Sequence, residues 1–494
     1  MSAAKTEPVS KVLDAVIIGS GFSGLCAAIK LREKGINNIA LIEKGDGVGG
    51  TWRENTYPGA ACDVPSPLYC YSFEPNPEWS RLFSPQPEIH AYIRHCADKY
   101  GITPLVRFNE KVKTLRLDDA HIWNVELHSG ETMQAHHVIN GSGGLHKPMI
   151  PDFAGLETFE GPYFHTATWN HDVDLDGKRV IVIGSAASAI QVIPEIAKVA
   201  AHVTVMQRTP NYIARRGDIV FSDKDKAQFR DKPETQAKLR QDIFDFLETE
   251  NVPIIKRDPE VAARRTDEIL GHMRGIIKDP DMRAKLTPDY ELGCKRILLS
   301  DNFYETLTLP HVDLVASGVE RIEENAVIAS NGERIEADVI IMATGFDLAG
   351  HAVELEVLGE GGHNLATRWI NGPDTLNGAC VPGFPNLYWV TGPNTGVATN
   401  SVVFMVEAQV NYIVQAIELA GRDKTIEPTE EVVAAQDAQF QADLKDTVWA
   451  SGCNSWYLGE GGAERIGTLY PYDARRFAAE RATLNVDEFL IKQQ

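Results

Sequence analysis

Two glycine-rich turns, 165 residues apart and each entered from a short apolar run, set most of what this 494-residue chain can fold into. The first is Gly19-Ser20-Gly21-Phe22-Ser23-Gly24, after Ala15-Val16-Ile17-Ile18. The second is Gly184-Ser185-Ala186-Ala187-Ser188-Ala189, after Val180-Ile181-Val182-Ile183. A β-branched run, a glycine turn and a helix-spaced apolar pattern make the start of a βαβ unit. Leu25, Ala28, Ile29 and Leu31 follow the first turn at roughly helical spacing, Gly35 ends that helix, and residues 39–42 resume a strand. Ile190, Ile193 and Ile196 share one face after the second turn, Pro194 predicts a kink or break there, and Val203-Thr204-Val205 is the next strand. The fold class expected is α/β, with two interleaved Rossmann-like dinucleotide-binding domains.

The two units differ at one offset. Twenty-four residues after its first glycine the first unit has Glu43, and at the same place the second has Arg208. An acid there accepts bonds from ribose hydroxyls, whereas a base suits a 2′-phosphate, which a guanidinium grips in a bidentate way. The first turn has the full G-x-G-x-x-G pattern, and Gly49-Gly50-Thr51-Trp52 beyond it favours FAD. The second has Ala186 and Ala189 in place of glycines; Arg208 points it to NADPH. A methyl at Ala186 narrows the approach of a pyrophosphate to the backbone. Two different nucleotides on one chain imply electron transfer between them.

The bulk composition narrows the classes. The net charge of −21 argues against broad nucleic-acid binding and against an anionic membrane surface. There is no run of about 18 apolar residues of the kind that spans a bilayer. Residues 1–9 are polar and lack a signal-peptide core, so a cytoplasmic protein with reduced thiols is expected. The seven cysteines (Cys26, Cys62, Cys70, Cys96, Cys294, Cys380 and Cys453) form no C-x-x-C pair, and no metal site is expected.

Five segments follow. Residues 1–147 are the first part of an FAD-binding domain and 148–217 the first part of an NADPH-binding domain. Residues 218–290 are a charge-rich helical insertion, with its charge runs read as solvated faces. Residues 291–345 complete the NADPH domain. Residues 346–494 return to the FAD domain and carry a long helix from Met405 to Ala420.

Phe159-Glu160-Gly161-Pro162-Tyr163-Phe164-His165-Thr166-Ala167-Thr168-Trp169 matches F-x-G-x-x-x-H-x-x-x-W. This resembles the fingerprint of type I Baeyer–Villiger monooxygenases, within the class B flavoprotein monooxygenases. Gly49-Gly50-Thr51-Trp52 with Tyr57-Pro58-Gly59 and Cys62-Asp63 resembles a second family fingerprint. Gln207-Arg208-Thr209-Pro210, Gly293-Cys294-Lys295-Arg296, Ala343-Thr344-Gly345-Phe346, Gly392-Pro393-Asn394-Thr395-Gly396 and Ser455-Trp456-Tyr457 extend the likeness along nearly the whole chain. Two positions depart from it: Asn170 follows the fingerprint tryptophan, where Pro or Asp is usual, and Ala61 stands where Arg is frequent.

The resemblance implies that NADPH reduces FAD and that the reduced flavin and O2 form a C4a-peroxyflavin. That species then inserts one oxygen beside the carbonyl of a small-molecule ketone, giving an ester or lactone. It assigns catalysis to Arg296, the fixed cation, and Asp63, its orienting partner. It places Gly19, Gly21, Phe22, Ser23, Gly24, Glu43, Gly50, Thr51, Trp52, Asp63, Tyr69 and Val112 at the flavin nucleotide. It places Gly184, Ser185, Ala186, Ala187, Ser188, Arg208, Thr209, Lys295, Arg296, Asn394 and Trp456 among the cofactor-binding residues, with Lys295 helping Arg208 at the 2′-phosphate and Trp456 near the nicotinamide ribose, on a C-terminal loop that closes over the cofactor. His165 is expected in an interdomain linker, with a conformational role and no proton to transfer. A monomer or homodimer is expected. The competing readings are an N- or S-oxygenating flavin monooxygenase, an NADPH oxidase or reductase, and a degenerate nucleotide-binding regulator.

Overall fold

A computed structural model describes residues 12–347, 355–453, 458 and 465–493. The first sheet is built outward from Val12–Ile18, whose last four residues are buried. Both neighbours run parallel to it: Ile17 sits opposite Leu41 of Ile39–Ile42 on one side and opposite Ile139 of Thr132–Asn140 on the other. Strands flanked by helices on a parallel sheet lack a solvent face, so near-continuous Val, Ile and Leu replaces alternation. Val106–Arg107 extends one edge. Trp123–Leu127 and Val112–Leu117 add an antiparallel hairpin at the other, where Trp123, Val125 and Leu127 are buried and the residues between them are not. Glu356–Leu358 and Leu387–Trp389 complete the eight strands, and both come from the far end of the chain.

Between those two visits the chain builds a second sheet of five parallel strands. Their order is Val312–Val315, His202–Met206, Arg179–Ile183, Val339–Met342 and Tyr163–His165. The fold is therefore two doubly wound units, the second inserted into the first. Tyr163–His165 is an edge strand of this sheet, and His165 is 1% exposed. That corrects the expectation of an interdomain linker. A strand of three residues is too short to show in a hydrophobic pattern.

The helix after each glycine turn forms as the spacing predicts. Phe22–Glu33 stops just before Gly35, whose φ of +81° suits a residue without a Cβ. Ala187–Ile196 runs through Pro194 unbroken, because the proline sits in its last turn, where a single i−4 bond is lost. Helix Val402–Ala420 is long and apolar enough to cross a membrane; here it lies in the core and packs along Phe22–Glu33.

Residues 218–290 form the helices Asp223–Asp231, Pro233–Ile255, Pro259–Ile276 and Pro280–Leu286. Ser222, Asp258 and Asp279 cap three of them, and proline opens three. Most of their charges face water. Pro233–Ile255 departs from that expectation: Gln236, Phe244 and Glu248 are buried, with Phe244 inside the apolar cluster of the first domain. The expectation of reduced thiols also fails at one pair, because Cys294 and Cys453 are joined in a disulfide with Cα atoms 6.4 Å apart. The other five cysteines are buried and free.

Packing decides which glycines are indispensable. A Cβ on Gly24 would lie 1.9 Å from the Gly19 carbonyl oxygen, whereas one on the exposed, helical Gly271 meets nothing within 4 Å. Gly24→Ala should destabilise the protein by about 3 kcal/mol or more through overpacking. Gly271→Ala should stabilise it by up to about 1 kcal/mol, the helix-propensity difference. Thermal unfolding of the two variants checks both signs.

Candidate active site

Among the described residues, two longer helices whose N-termini lack both a side-chain cap and a first-turn acid mark where anions can sit. Phe22–Glu33 begins at Gly21 and Ala187–Ile196 at Ala186; neither has a capping side chain or an acid in its first turn. Elsewhere Ser222, Asp258, Asp279, Ser401, Thr429 and Asp473 fill that role. An uncapped start leaves N–H donors and the positive end of the helix dipole for a phosphate. The chemistry of both starts therefore fits a dinucleotide.

At the first start, Gly21 and Gly50 meet backbone to backbone: a Cβ on Gly50 would lie 3.1 Å from the Gly21 Cα. Gly50, at φ +54°, opens the short helix Thr51–Glu54 against this turn. The Glu43 carboxylate is buried and accepts from Ser20 N (2.9 Å), Ser20 Oγ (2.7 Å) and Gly45 N (2.8 Å). It thereby fixes the glycine turn, and the Ser20 hydroxyl is the partner a ribose hydroxyl could replace. Phe22, Trp52 and Tyr69 form an aromatic wall, with Phe22 and Tyr69 edge-to-face at 5.4 Å and Trp52 Nε1 donating to Tyr69 Oη at 3.1 Å. Burial pushes the Tyr69 phenol well above its ordinary range, so it stays protonated. Thr51 Oγ1 donates to the Leu145 carbonyl. Ser23 and Gly24 are buried inside the turn.

Asp63 and Arg296, 233 residues apart, meet in a bidentate contact. Arg296 Nε donates to Asp63 Oδ2 at 2.7 Å and Nη2 to Oδ1 at 2.8 Å. The side chains are 26% and 37% exposed, so the pair lines an accessible space. Two parallel bonds fix the plane of the guanidinium as one bond cannot. Lys295 is adjacent. Burial, and then the Arg208 charge, lower its pKa below the usual lysine range, and Asp289 partly opposes this. Two cations brought together in an acidic protein fit a dianionic phosphate. Thr209 and Ser185 close this end, with Ser185 Oγ donating to the Thr209 carbonyl. Gly184 is at φ +116°, and a Cβ there would lie 2.4 Å from the Ala343 oxygen. Ala186 and Ala187 are exposed at the helix start and Ser188 is half-buried, so the alanine methyls reach the solvent side where a pyrophosphate would approach.

The sequence did not single out Gln191, which ties the two domains together. It accepts from Tyr57 Oη at 2.8 Å and donates to the Ala61 carbonyl at 3.0 Å. A polar residue one turn into an amphipathic helix has no pattern that marks it as a bridge. Ala61 forms part of the wall of an interdomain cavity of about 430 Å³, with Tyr57, Gln191, Arg81, Phe83 and Arg216.

Three expected contacts are placed elsewhere or outside the described residues. The Asn394 side chain is buried and donates to the Ile466 and Leu469 carbonyls, each at 2.8 Å. Its amide hydrogens hold the C-terminal segment. Val112 starts an edge-hairpin strand two residues beyond Glu110, whose N–H reaches the Glu43 carbonyl. Trp456 lies outside the described residues. Burial lowers the His165 pKa to about 4, and its Nδ1 accepts from Ala167 N. The residue is 1% exposed and its ring meets Phe346 edge-to-face at 5.9 Å.

Residues 16–229 match the family model described as pyridine nucleotide-disulphide oxidoreductase. A Baeyer–Villiger monooxygenase of Streptomyces coelicolor is 40% identical over 99% of this chain and 94% of its own length. One from Pseudomonas aeruginosa is 39% identical over 97% and 91%. Among solved structures, a steroid monooxygenase bound to NADP superposes with a TM-score of 0.87 at 30% identity, covering 97% of this chain and 99% of that one. A closed cyclohexanone monooxygenase gives 0.88 at 28%, covering 98% and 99%.

The Arg208–Lys295 pair carries a pH signature. Only the ammonium form of Lys295 attracts a phosphate, and its lowered pKa removes that charge earlier as pH rises. The Michaelis constant for NADPH should therefore climb at alkaline pH sooner than an ordinary lysine would allow, while that for NADH stays flat. Lys295→Arg should abolish the alkaline rise. Arg208→Ala should raise the NADPH constant about tenfold or more, the loss of a charge-assisted bond, with little effect on NADH. Steady-state kinetics with both nucleotides between neutral and alkaline pH decide it.

Proposed function

The chain belongs to the Baeyer–Villiger monooxygenases, FAD- and NADPH-dependent enzymes that insert one atom of O2 beside a ketone carbonyl, and we propose that Asp63 and Arg296 are the charged centre of its active site. The observation that carries this reading is the bidentate Asp63–Arg296 contact, made between a loop of the first domain and a segment of the second. FAD, once reduced by NADPH, supplies the activation of O2 and the transfer of oxygen. Gly19, Gly21, Ser23, Gly24, Glu43, Gly50 and Thr51 would hold it, with Trp52 and Tyr69 walling one side. Gly184, Ser185, Ala186, Ala187, Ser188, Arg208, Thr209 and Lys295 would hold NADPH.

The chain's own part in the chemistry is electrostatic. Oxygen insertion builds negative charge on the former carbonyl oxygen, and an oriented cation stabilises that charge without having to reorganise. Asp63 holds the Arg296 guanidinium in one plane and offsets part of its charge before substrate arrives. It accepts bonds throughout and needs no proton of its own. The half-buried Tyr69 phenol keeps its proton and accepts from Trp52 Nε1. The substrate is a small-molecule ketone and the product an ester or lactone.

The test is incubation of purified protein with FAD, NADPH, 18O2 and a panel of linear, cyclic and aryl ketones. One labelled oxygen in an ester or lactone is the expected outcome; hydrogen peroxide alone across the panel overturns the reading. Arg296→Ala should retain flavin and lose ester formation by about a hundredfold or more, as when a preorganised charge donor is removed. Wild-type turnover in that variant would mean that Arg296 is not the stabilising cation.

A further inference from the structure

One face of the insertion helix Pro233–Ile255 is polar, buried and pressed against the first domain. Gln236 Nε2 donates to the Asn76 carbonyl at 2.6 Å. Four residues on, Arg240 Nη1 donates to the carbonyls of Pro67 (2.9 Å), Leu68 (3.3 Å) and Cys70 (2.9 Å). Its Nη2 lies 3.6 Å from Glu407 on helix Val402–Ala420. Four further on, the Phe244 ring packs 4.8 Å from Phe404. Four beyond that, the buried Glu248 carboxylate accepts from Thr399 Oγ1 (3.1 Å), Asn400 Nδ2 (2.8 Å) and Ala474 N (3.0 Å). Spacing of four keeps all of these on one side of a helix.

This helix is threaded between strands His202–Met206 and Val312–Val315, so it belongs to the second domain. What it grips belongs to the first. Residues 67–70 follow Asp63 by only a few positions and include Tyr69. Glu407 holds the next stretch from the opposite side, accepting from Ser72 N (2.8 Å) and Ser72 Oγ (2.9 Å). Ser401 Oγ also donates to the Leu68 carbonyl. The Leu68 carbonyl has this second donor and the Pro67 carbonyl accepts from Cys70 Sγ as well, but only the Arg240 guanidinium gathers all three carbonyls of the turn at one point, and buried backbone acceptors left unpaired are costly.

We infer that Arg240 is a positioning residue: from the second domain it sets the loop that carries Asp63 and Tyr69, and so sets the orientation of the Asp63–Arg296 pair. This rests on the reading of that pair as the charged centre. Glu248 fixes the register of the helix at its other end, so that Arg240 meets the loop at one height. Electron delivery from NADPH rests on the nucleotide sites as a whole, to which this loop contributes the Tyr69 wall, so it is less sensitive to the grip. Oxygen transfer depends on where the guanidinium points, and so is sensitive to it.

The test compares Arg240→Met and Arg240→Lys with Lys238→Met, a control on the 74%-exposed Lys238 of the same helix. Three quantities are measured on the flavin-loaded enzyme: hydrogen exchange of the amides of residues 66–72, the rate of flavin reduction by NADPH, and ester formed per NADPH oxidised. For Arg240→Met, exchange should quicken, reduction should stay within about twofold, and the ester yield should fall about tenfold with a matching rise in peroxide, as expected for misplacement of a catalytic group. Arg240→Lys keeps a charged donor and should recover part of the yield; Lys238→Met should match wild type. A lower melting temperature with unchanged exchange and unchanged ester yield overturns the proposal. If the Met variant does not fold, the Lys variant decides, and wild-type exchange and yield in it are equally fatal. Arg296→Ala run alongside separates the two readings. Loss of ester there, with full yield in the Arg240 variants, discards only the positioning role; retained ester there discards the charged centre itself.

Discussion

An ion pair between residues 233 positions apart is the constraint around which the rest of this structure is arranged. Asp63 lies in the loop after the first flavin-side helix start, and Arg296 lies on the segment that re-enters the second sheet. Neither unit alone can build the contact. The chain must complete half of the first domain, build the second inside it, and return. The interleaved order of strands supplies that path, because Glu356–Leu358 and Leu387–Trp389 close the first sheet only after the second is finished. Gln191 and Arg240 then tie the units on either side of Asp63 in the chain, at Ala61 and at residues 67–70, and Glu248 ties them further along the helix.

Electrostatics is concentrated in the same way. The chain carries a net charge of −21, yet Arg208, Lys295 and Arg296 gather where anions are to be handled. The lowered pKa of Lys295 comes first from its burial and then from the Arg208 charge held close to it. The two uncapped helix starts add fixed positive ends that need no titratable group. A protein of this charge attracts an anionic cofactor through local geometry rather than through its overall field.

Much of this was legible in the sequence, for physical reasons. The runs at residues 15–18 and 180–183 are buried parallel strands, and such strands show as continuous apolar stretches. Gly19, Gly24 and Gly184 sit where a Cβ would strike backbone, so their identity is dictated by the turn. Glu43 and Arg208 were readable because their offset from the turn is set by the length of one βαβ unit. Asp63 and Arg296 were readable only through family likeness, since no local pattern links residues so distant. The burial of Arg240 and Glu248 was hidden in a charge-rich stretch, where a charge that bonds to a neighbouring domain resembles one that bonds to water. The Cys294–Cys453 link, 159 residues apart, has no spacing signature. The place of His165 in a sheet was not legible, because a three-residue edge strand gives no period to read.

The most direct measurement is a double-mutant cycle on ester formation with Asp63→Ala, Arg296→Ala and the combined variant, each loaded with FAD and compared at equal flavin content. If the two residues act as one oriented charge, each single substitution abolishes most of the same stabilisation, and the double variant should be no worse than the poorer single one. Losses that multiply, with the double variant reduced by the product of the two single effects, would show that the residues act independently and would contradict the account.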